Sequence, residues 1–304
     1  MRVAVVGLGH LGTYHARIWA GLSDVELTAV VDIEPDRVEA VSGEFHVPGF
    51  SDWREIPAGV DAVSLAVPTA LHGSLGVEIL NSGRHLLVEK PIARTVGEAE
   101  ALIAAAQGNG KTLMVGHTER FNPAVVAMRE LISQPRFIEA QRMASFAPRC
   151  LDVDVILDLM IHDLDLALLL AGPEVKEVRA IGVSAFTDRI DIANARIEFD
   201  SGCVANLTAS RVSREAVRKL RIFQANRYLS LDYSSRTLLS CRIESSEKEF
   251  PSLVVEPVAV SAGDPLKRQL QSFAGSVHRN IPPACSGEEA KRALQLAHQV
   301  LARM

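Results

Sequence analysis

Cysteine is scarce in this chain, basic residues are not in excess, and no long apolar run is free of charge. The four cysteines among 304 residues form no Cys-x-x-Cys pair, which argues against a disulfide framework or a zinc site and favours a reducing compartment. The net charge of −5 argues against non-specific nucleic-acid binding. The most apolar segment, VILDLMIHDLDLALLLAG, carries three aspartates and a histidine, too many charges for a membrane span.

The remaining composition is that of a globular protein with a full core. Hydrophobic residues make up 48% of the chain and charged residues 23%, and the length suits one large or two ordinary domains. The opening MRVAVVG reads directly as a strand, without a signal peptide. We therefore expect a soluble, cytoplasmic protein with two domains and no nucleic-acid or membrane partner.

Residues 1–118 alternate short apolar runs with helical patterns. Strand-like runs such as Arg2–Val6 and Arg84–Val88 are separated by helix-like segments, and Thr95 with Glu98 forms a capping box for one of them. This alternation predicts an α/β domain, a Rossmann-type doubly wound parallel sheet.

Residues 119–304 follow a different pattern. Helices are predicted to begin at Asn122-Pro123 and to run from about Val153 to Leu170. Two pairs of strand-like runs then flank turn signals at residues 200–202 and 226–227, which is typical of antiparallel hairpins. Ser286 and Glu289 cap a closing helix. We predict a C-terminal α+β domain with a largely antiparallel open sheet.

The segment GLGHLG, residues 7–12, has the spacing G-x-G-x-x-G between a strand and a helix. This context predicts a dinucleotide-binding loop in which the glycines permit a tight turn and a close approach of the pyrophosphate. Asp32 ends the second strand 20 residues after Gly12, where a carboxylate accepts hydrogen bonds from the adenosine ribose. It would repel a 2′-phosphate, so NAD is favoured over NADP, although Arg37 lies nearby in the sequence.

Polar residues follow the later strands of this domain. They are Pro68-Thr69, Glu89-Lys90-Pro91 and Gly116-His117, and ligands of open α/β sheets bind beyond the carboxyl ends of the strands. Lys90 could there hold a substrate oxygen and stabilise negative charge on it. The predicted cofactor-binding residues are Gly7, Gly9, His10, Leu11, Gly12, Asp32, Pro68, Thr69, His72, Glu89 and Lys90.

A second group of polar residues lies in LDLMIHDLD, residues 157–165. Asp158 and His162 are four residues apart and would be neighbours on one face of an α-helix. A histidine oriented by an aspartate can serve as a general base, whereas a histidine among apolar residues is also often structural. A metal held by Asp158, His162 and Asp163 lacks a further well-spaced ligand, and we predict no metal site.

Five basic residues are concentrated in RVSREAVRKLR, residues 211–221. They form either a solvated or interfacial strand face or a cradle for an anionic substrate.

The order of these motifs resembles the glucose–fructose oxidoreductase / inositol dehydrogenase family (Gfo/Idh/MocA). The resemblance rests on GLGHLG, on Glu89-Lys90-Pro91 and on Asp158-x-x-x-His162, and it extends over nearly the whole chain. It implies NAD(P)-dependent oxidation or reduction of a sugar or cyclitol, with Lys90, Asp158 and His162 as the catalytic group. It also implies that Glu89 contacts a ribose, that Pro91 fixes the turn carrying Lys90, and that the chain forms a homodimer or homotetramer.

A narrower resemblance is carried by GHTERFNPAV, residues 116–125, and by residues 147–165. These segments are similar to the UDP-N-acetylglucosamine 3-dehydrogenase subgroup, which implies oxidation of the 3-hydroxyl of a UDP-linked N-acetylhexosamine. The candidate substrate-binding residues are Lys90, His117, Arg120, Asn122, Arg149 and His162.

The residues leave other functions open. An inositol or free-sugar dehydrogenase would turn over substrates without a nucleotide, and an NAD-retaining glycosidase would produce no net NADH. A redox sensor would bind NAD without catalysis. In the leading hypothesis His162 takes the hydroxyl proton, Asp158 orients the imidazole and Lys90 stabilises the oxygen, although Lys90 is an alternative base.

Overall fold

The computed structural model describes residues 1–146, 153–244 and 252–304 of the chain. These residues form two compact units, one of Met1–Thr118 with Asp264–Leu294 and one of Glu119–Gly263 with Gln295–Met304. Within the described ranges, no helix combines the length and the apolar character needed to cross a membrane.

The first unit contains a six-stranded parallel sheet. Its strands and helices are β1 (Arg2–Val6), α1 (His10–Ala20), β2 (Glu26–Val31), α2 (Pro35–Phe45), β3 (Gly49–Phe50), β4 (Ala62–Leu65), α3 (His72–Asn81), β5 (His85–Glu89), α4 (Val96–Gly108) and β6 (Leu113–Gly116). The strand order is β3-β2-β1-β4-β5-β6, the doubly wound order that reverses direction between β1 and β4. The predicted Rossmann fold is therefore confirmed.

The strands of this sheet are apolar on both faces because helices cover both faces. All four residues of β4 are buried, as are the last four of β1. Local signals fix the helix ends. The Thr95 hydroxyl accepts the Glu98 N–H, as the capping box predicted, and Pro35 occupies the first turn of α2.

The second unit contains an eight-stranded sheet. Its elements are α5 (Pro123–Arg129), β7 (Pro135–Met143), α6 (Ile161–Ala171), β8 (Val175–Val183), β9 (Ile192–Phe199), β10 (Val204–Ser210), β11 (Val217–Gln224), β12 (Arg227–Asp232), β13 (Thr237–Glu244) and β14 (Ser252–Pro257). The strand order is β14-β13-β12-β11-β7-β10-β9-β8, and only the β7–β10 pair is parallel. Both predicted hairpins, β9–β10 and β11–β12, are present, which confirms a largely antiparallel sheet.

Asn122 caps α5 as predicted, its side-chain oxygen accepting the Ala124 N–H. The predicted continuous α-helix from Val153 to Leu170 is only partly present, because Ile156–Met160 form a π-helix before α6. A π-helix closes its hydrogen bonds between residues i and i+5, so the α-helical spacing assumed for Asp158 and His162 does not apply across this segment.

Two further helices complete the chain, α7 (Pro265–Arg279) and α8 (Gly287–Leu301). The Ser286–Glu289 capping box of α8 is present, with reciprocal hydrogen bonds. The sequence division placed all of residues 119–304 in the second domain. In the structure Asp264–Leu294 belong to the first unit, because α7 buries Leu270 and Phe273 there and Phe273 packs edge-on against Trp19 of α1.

Candidate functional site

The glycine loop connects β1 to α1. Gly7 has φ +91°, and a Cβ there would lie 2.6 Å from the Ala66 carbonyl oxygen, so only glycine fits. Gly9 is the N-cap of α1, and a Cβ there would meet no atom within 4 Å. Gly12 is different, because a Cβ there would overlap the Gly7 carbonyl oxygen. Gly9 thus leaves open space at a helix N-terminus, where phosphate oxygens bind free N–H groups.

A cavity of about 600 Å³ lies beside this loop within the first unit. Gly7, Gly9, Asp32, Arg37 and Pro68 contribute to its wall. The volume suits a small-molecule or cofactor site. It lies beyond the carboxyl ends of β1 and β4, between which the strand order reverses, and this is the position at which doubly wound sheets bind dinucleotides.

Asp32 is buried at the end of β2 and shapes the loop as well as the cavity. Its Oδ2 accepts the Leu8 N–H at 2.6 Å and its Oδ1 accepts the Glu34 N–H at 3.0 Å. Arg37 lies 3.7 Å from Oδ1, with its side chain half-exposed. Each carboxylate oxygen can accept a second hydrogen bond, so Asp32 can still receive ribose hydroxyls. The residues present therefore fit NAD.

The other predicted cofactor residues divide between the surface of the first unit and its interior. His10 and Leu11 are exposed at the start of α1, and Thr69 is half-buried after β4. His72 is buried, with Nδ1 2.8 Å from the Pro91 carbonyl oxygen and Nε2 2.9 Å from the Val67 carbonyl oxygen. The His72 ring thus connects the segments that follow β4 and β5, and its contact with the cofactor remains a prediction.

Glu89 and Lys90 lie at the carboxyl end of β5, as predicted. Lys90 is half-buried and its peptide bond to Pro91 is cis. The Glu89 side chain is only 7% exposed, and two residues that the sequence analysis did not identify, His15 and Gln269, approach its carboxylate. A direct ribose contact by Glu89 remains a prediction.

A sequence signal for both residues existed. His15 and Gln269 each lie on the buried face of a helix, beside apolar residues such as Trp19 in α1 and Phe273 in α7. A polar side chain within an apolar stripe of a helix needs a buried partner. The helix that carries Gln269 has its own sequence signal, because Asp264-Pro265 is a recognisable helix start.

The acidic segment of the second unit separates into two kinds of residue. Asp163 and Asp165 are buried in bidentate ion pairs, Asp163 with Arg142 at 2.9 Å for both bonds and Asp165 with Arg120 at 2.6 and 2.8 Å. Asp158 in the π-helix and His162 in α6 are half-buried. Unlike Asp163 and Asp165, the predicted catalytic pair is thus partly accessible to solvent, and its role remains a prediction.

Arg142 joins two carboxylates in the interior of this unit. Burial alone would lower its pKa, but the attraction of Asp163 and Glu119 raises the pKa well above its usual range. The Tyr233 ring lies 5.3 Å from the guanidinium carbon. Arg142 is thus a charged structural centre for β7 and α6.

The predicted substrate-binding residues differ in their surroundings. Arg120 is buried against Asp165, and Asn122 is the buried N-cap of α5, so each has a structural partner that the sequence analysis did not anticipate. His117 is buried directly after β6. Arg149 lies outside the described residues. Contacts of these four residues with a substrate remain predictions.

The basic segment 211–221 consists mainly of paired charges. Arg211 is buried, with Nη2 donating to the Val153 and Ile190 carbonyl oxygens and Nε 3.2 Å from Asp191. Arg221 pairs with Glu139 at 2.7 Å. These contacts favour the structural explanation over an anion cradle.

Comparison with known proteins identifies related sequences over the whole chain. A family model described as "Oxidoreductase family, NAD-binding Rossmann fold" (GFO_IDH_MocA) matches residues 1–117. The model "GFO/IDH/MocA C-terminal domain" matches residues 131–227.

Individual relatives include dehydrogenases of a nucleotide sugar and of a cyclitol. The chain is 41% identical to UDP-N-acetylglucosamine 3-dehydrogenase of Acidithiobacillus ferrooxidans, over 99% of this chain and 96% of the relative. It is 31% identical to scyllo-inositol 2-dehydrogenase (NAD(+)) of Bacillus subtilis, over 70% and 68% of the two chains. A solved structure of the Acidithiobacillus enzyme superposes with a TM-score of 0.95 at 40% identity, covering 100% of this chain and 97% of that one.

Proposed function

Because the chain belongs to the Gfo/Idh/MocA family of NAD-binding oxidoreductases, we propose that it oxidises the 3-hydroxyl of a UDP-linked N-acetylhexosamine. The observation that carries this proposal is the 41% identity to a UDP-N-acetylglucosamine 3-dehydrogenase over 99% of the chain. The candidate residues Lys90, Asp158 and His162 support it, because each is at least partly accessible in its own unit.

The first unit supplies the cofactor site. The glycine loop leaves space for a pyrophosphate beside Gly9, and Asp32 offers ribose hydroxyls a carboxylate that a 2′-phosphate would avoid. Bound NAD would supply the hydride acceptor for a secondary alcohol. Lys90 would hold the substrate oxygen with its ammonium group and stabilise negative charge there.

The second unit supplies the base in this proposal. The His162 imidazole would take the hydroxyl proton, and Asp158 would orient that ring. The buried Arg142–Asp163 and Arg120–Asp165 pairs support the role indirectly, because they hold the part of α6 that directly follows its predicted base.

The proposal extends to assembly and location. Phe137, Phe223 and Tyr228 form a row of ring contacts across β7, β11 and β12, and Phe223 is exposed. Such a row on a sheet face favours burial against another copy of the chain, so we expect a homodimer or homotetramer. We also expect the protein to be cytoplasmic. Light scattering of the wild type and of Phe223→Glu tests the assembly, and a monomeric wild type would contradict it.

The test of function is NADH formation from NAD with a panel of substrates. The panel contains UDP-N-acetylglucosamine, UDP-N-acetylglucosaminuronate, free N-acetylglucosamine and myo-inositol, with NADP in parallel. We expect turnover only with a UDP-linked sugar. Turnover of myo-inositol would favour the second candidate, to which the scyllo-inositol dehydrogenase relative points. No turnover with NAD still bound would favour an NAD-retaining glycosidase or a sensor.

Two variants assign the proposed roles. We expect His162→Asn to lose activity most strongly at neutral pH, and Lys90→Met to lose activity at every pH. His278→Asn is the matched control, because His278 is partly exposed and pairs with Asp24 in the first unit. Full activity of His162→Asn at neutral pH would remove His162 as the base.

A further inference from the structure

The Glu89 carboxylate is buried at the carboxyl end of β5 by groups from three other elements. Nε2 of His15, on α1, lies 3.3 Å from Oε1. Nε2 of Gln269, on α7, donates to the same oxygen at 3.1 Å. Gly116 of β6 is the register partner of Glu89, and a Cβ at Gly116 would overlap the carboxylate. Side chains from two helices, together with the absence of a side chain at Gly116, thus leave space for one carboxylate group.

The two partners of Glu89 are themselves held in orientation. Nδ1 of His15 lies 2.7 Å from Ser64 Oγ, and Oε1 of Gln269 accepts from Thr118 Oγ1 at 2.6 Å. Both His15 and Gln269 are fully buried. We name these five residues the Glu89 cluster.

The cluster presents donors to the carboxylate. The Thr118 hydroxyl donates to the amide oxygen of Gln269, so the amide nitrogen faces Glu89. If the Ser64 hydroxyl donates to Nδ1 of His15, the remaining ring proton is on Nε2 and also faces Glu89. In this arrangement both partners of Glu89 direct a hydrogen-bond donor towards its carboxylate.

The charge balance at Glu89 agrees with this arrangement. Burial by itself raises the pKa of a carboxyl group, but the contacts with His15 and Gln269 and the charge of Lys90 leave the pKa of Glu89 below its ordinary value. The carboxylate is therefore ionised at neutral pH although it is almost wholly buried.

The Glu89 carboxylate lies on the side of the sheet where the nicotinamide half of the cofactor is expected to bind. A doubly wound sheet binds a dinucleotide across the point where its strand order reverses. Asp32 at the end of β2 marks the adenosine half, so the nicotinamide half falls on the β4–β6 side, where Glu89 ends β5. The nicotinamide ring is cationic in NAD⁺ and neutral in NADH. A buried anion near the ring favours the cation, because low polarity around the charge strengthens the attraction.

We propose that the Glu89 carboxylate biases the bound cofactor towards its oxidised form, with His15 and Gln269 as positioning residues that hold the carboxylate in place. This goes beyond the proposed function, since it uses the NAD-binding property of the family and none of the substrate assignment. Because it stabilises NAD⁺ relative to NADH, the carboxylate makes hydride acceptance by the bound cofactor less favourable and hydride donation by bound NADH more favourable.

The test measures equilibrium dissociation constants of NAD⁺ and NADH without substrate, by calorimetry for NAD⁺ and by NADH fluorescence. In Glu89→Gln we expect the ratio Kd(NAD⁺)/Kd(NADH) to rise about tenfold, which for a two-electron couple corresponds to about 30 mV in the potential of the bound cofactor. In Gln269→Leu we expect a smaller rise in the same direction. Glu100→Gln is the matched control, because it removes a charge from an exposed position of α4 in the same unit, and its ratio should not change.

A second variant separates charge from structure. Glu89→Asp keeps the charge and shortens the side chain, so its ratio should stay within about twofold of the wild type even if both affinities fall. Equal weakening of NAD⁺ and NADH in Glu89→Gln would overturn the proposal and leave Glu89 a structural residue. A shift in Glu89→Gln with none in Gln269→Leu would remove the positioning role. Failure of the sugar assay would leave these binding ratios unaffected.

Discussion

The three glycines of the dinucleotide loop are expected to respond differently to the same added methyl group. At Gly12 an added Cβ would overlap the carbonyl oxygen of Gly7, a backbone atom that no side-chain rotation can move away. The loop or α1 must then move, so we expect Gly12→Ala to lower the free energy of unfolding by about 1–3 kcal/mol, the usual cost of overpacking. NAD binding should weaken as a consequence of that movement.

Gly9→Ala is expected to separate binding from stability. A Cβ at Gly9 meets nothing within 4 Å, and the residue has φ −66°, which alanine adopts without strain. The free energy of unfolding should therefore fall by no more than about 1 kcal/mol, the loss expected when alanine replaces glycine at an N-cap. The methyl group nevertheless enters the space required for a pyrophosphate, and we expect the Kd for NAD to rise at least about tenfold.

The assay combines urea unfolding with NAD titration on each variant. Gly97→Ala is the control, because Gly97 lies in α4 with no atom within 4 Å of an added Cβ. It should bind NAD normally and gain up to about 1 kcal/mol from helix propensity. Unimpaired NAD binding by Gly9→Ala would refute the assignment of this loop as the pyrophosphate site.

Three further predictions concern charges. Asp32→Ala should raise affinity for NADP relative to NAD by about tenfold, since it removes a repelling carboxylate and releases Arg37 for a phosphate, and an unchanged ratio by calorimetry would contradict it. Arg142→Met should lower the free energy of unfolding by about 3–5 kcal/mol, because it leaves buried carboxylates unpaired, whereas the exposed control Arg179→Ala should show no measurable change in urea. The pKa of Asp191 is held below its ordinary value by backbone and side-chain hydrogen bonds despite burial. Its stabilisation is therefore complete above the unfolded-state pKa and lost as pH falls through the lower folded value, so in Asp191→Asn the urea midpoint should fall less steeply below about pH 4.

Sequence alone predicted the features that local chemistry determines. The order of strands and helices in residues 1–118, the glycine loop and the caps at Thr95, Asn122 and Ser286 each depend on neighbours within a few residues. The pairing of β9 with β10 was similarly visible, because a short turn joins the two strands. The glycine loop, together with Glu89-Lys90-Pro91 and Asp158-x-x-x-His162, also carried the family resemblance, which the comparisons confirmed.

Features that depend on distant contacts were not predictable in this way. Asp158, Asp163 and Asp165 are equivalent in the sequence pattern, yet Arg142 and Arg120 from other elements bury two of them in ion pairs. The π-helix before α6 likewise has no local signature in the sequence. On its N-terminal side, Val155 and Asp154 form hydrogen bonds with the distant residue Ile190.

The sequence by itself determined the fold class, the cofactor loop and the residue types of the site, because periodicity, turn residues and capping act over short distances. Only the tertiary structure decided which charges are structural and what surrounds Glu89. Gln269 is 180 residues from Glu89 along the chain, and His15 reaches the same carboxylate from α1. A buried charge selects its partners by proximity in the folded core, and that proximity is created by packing.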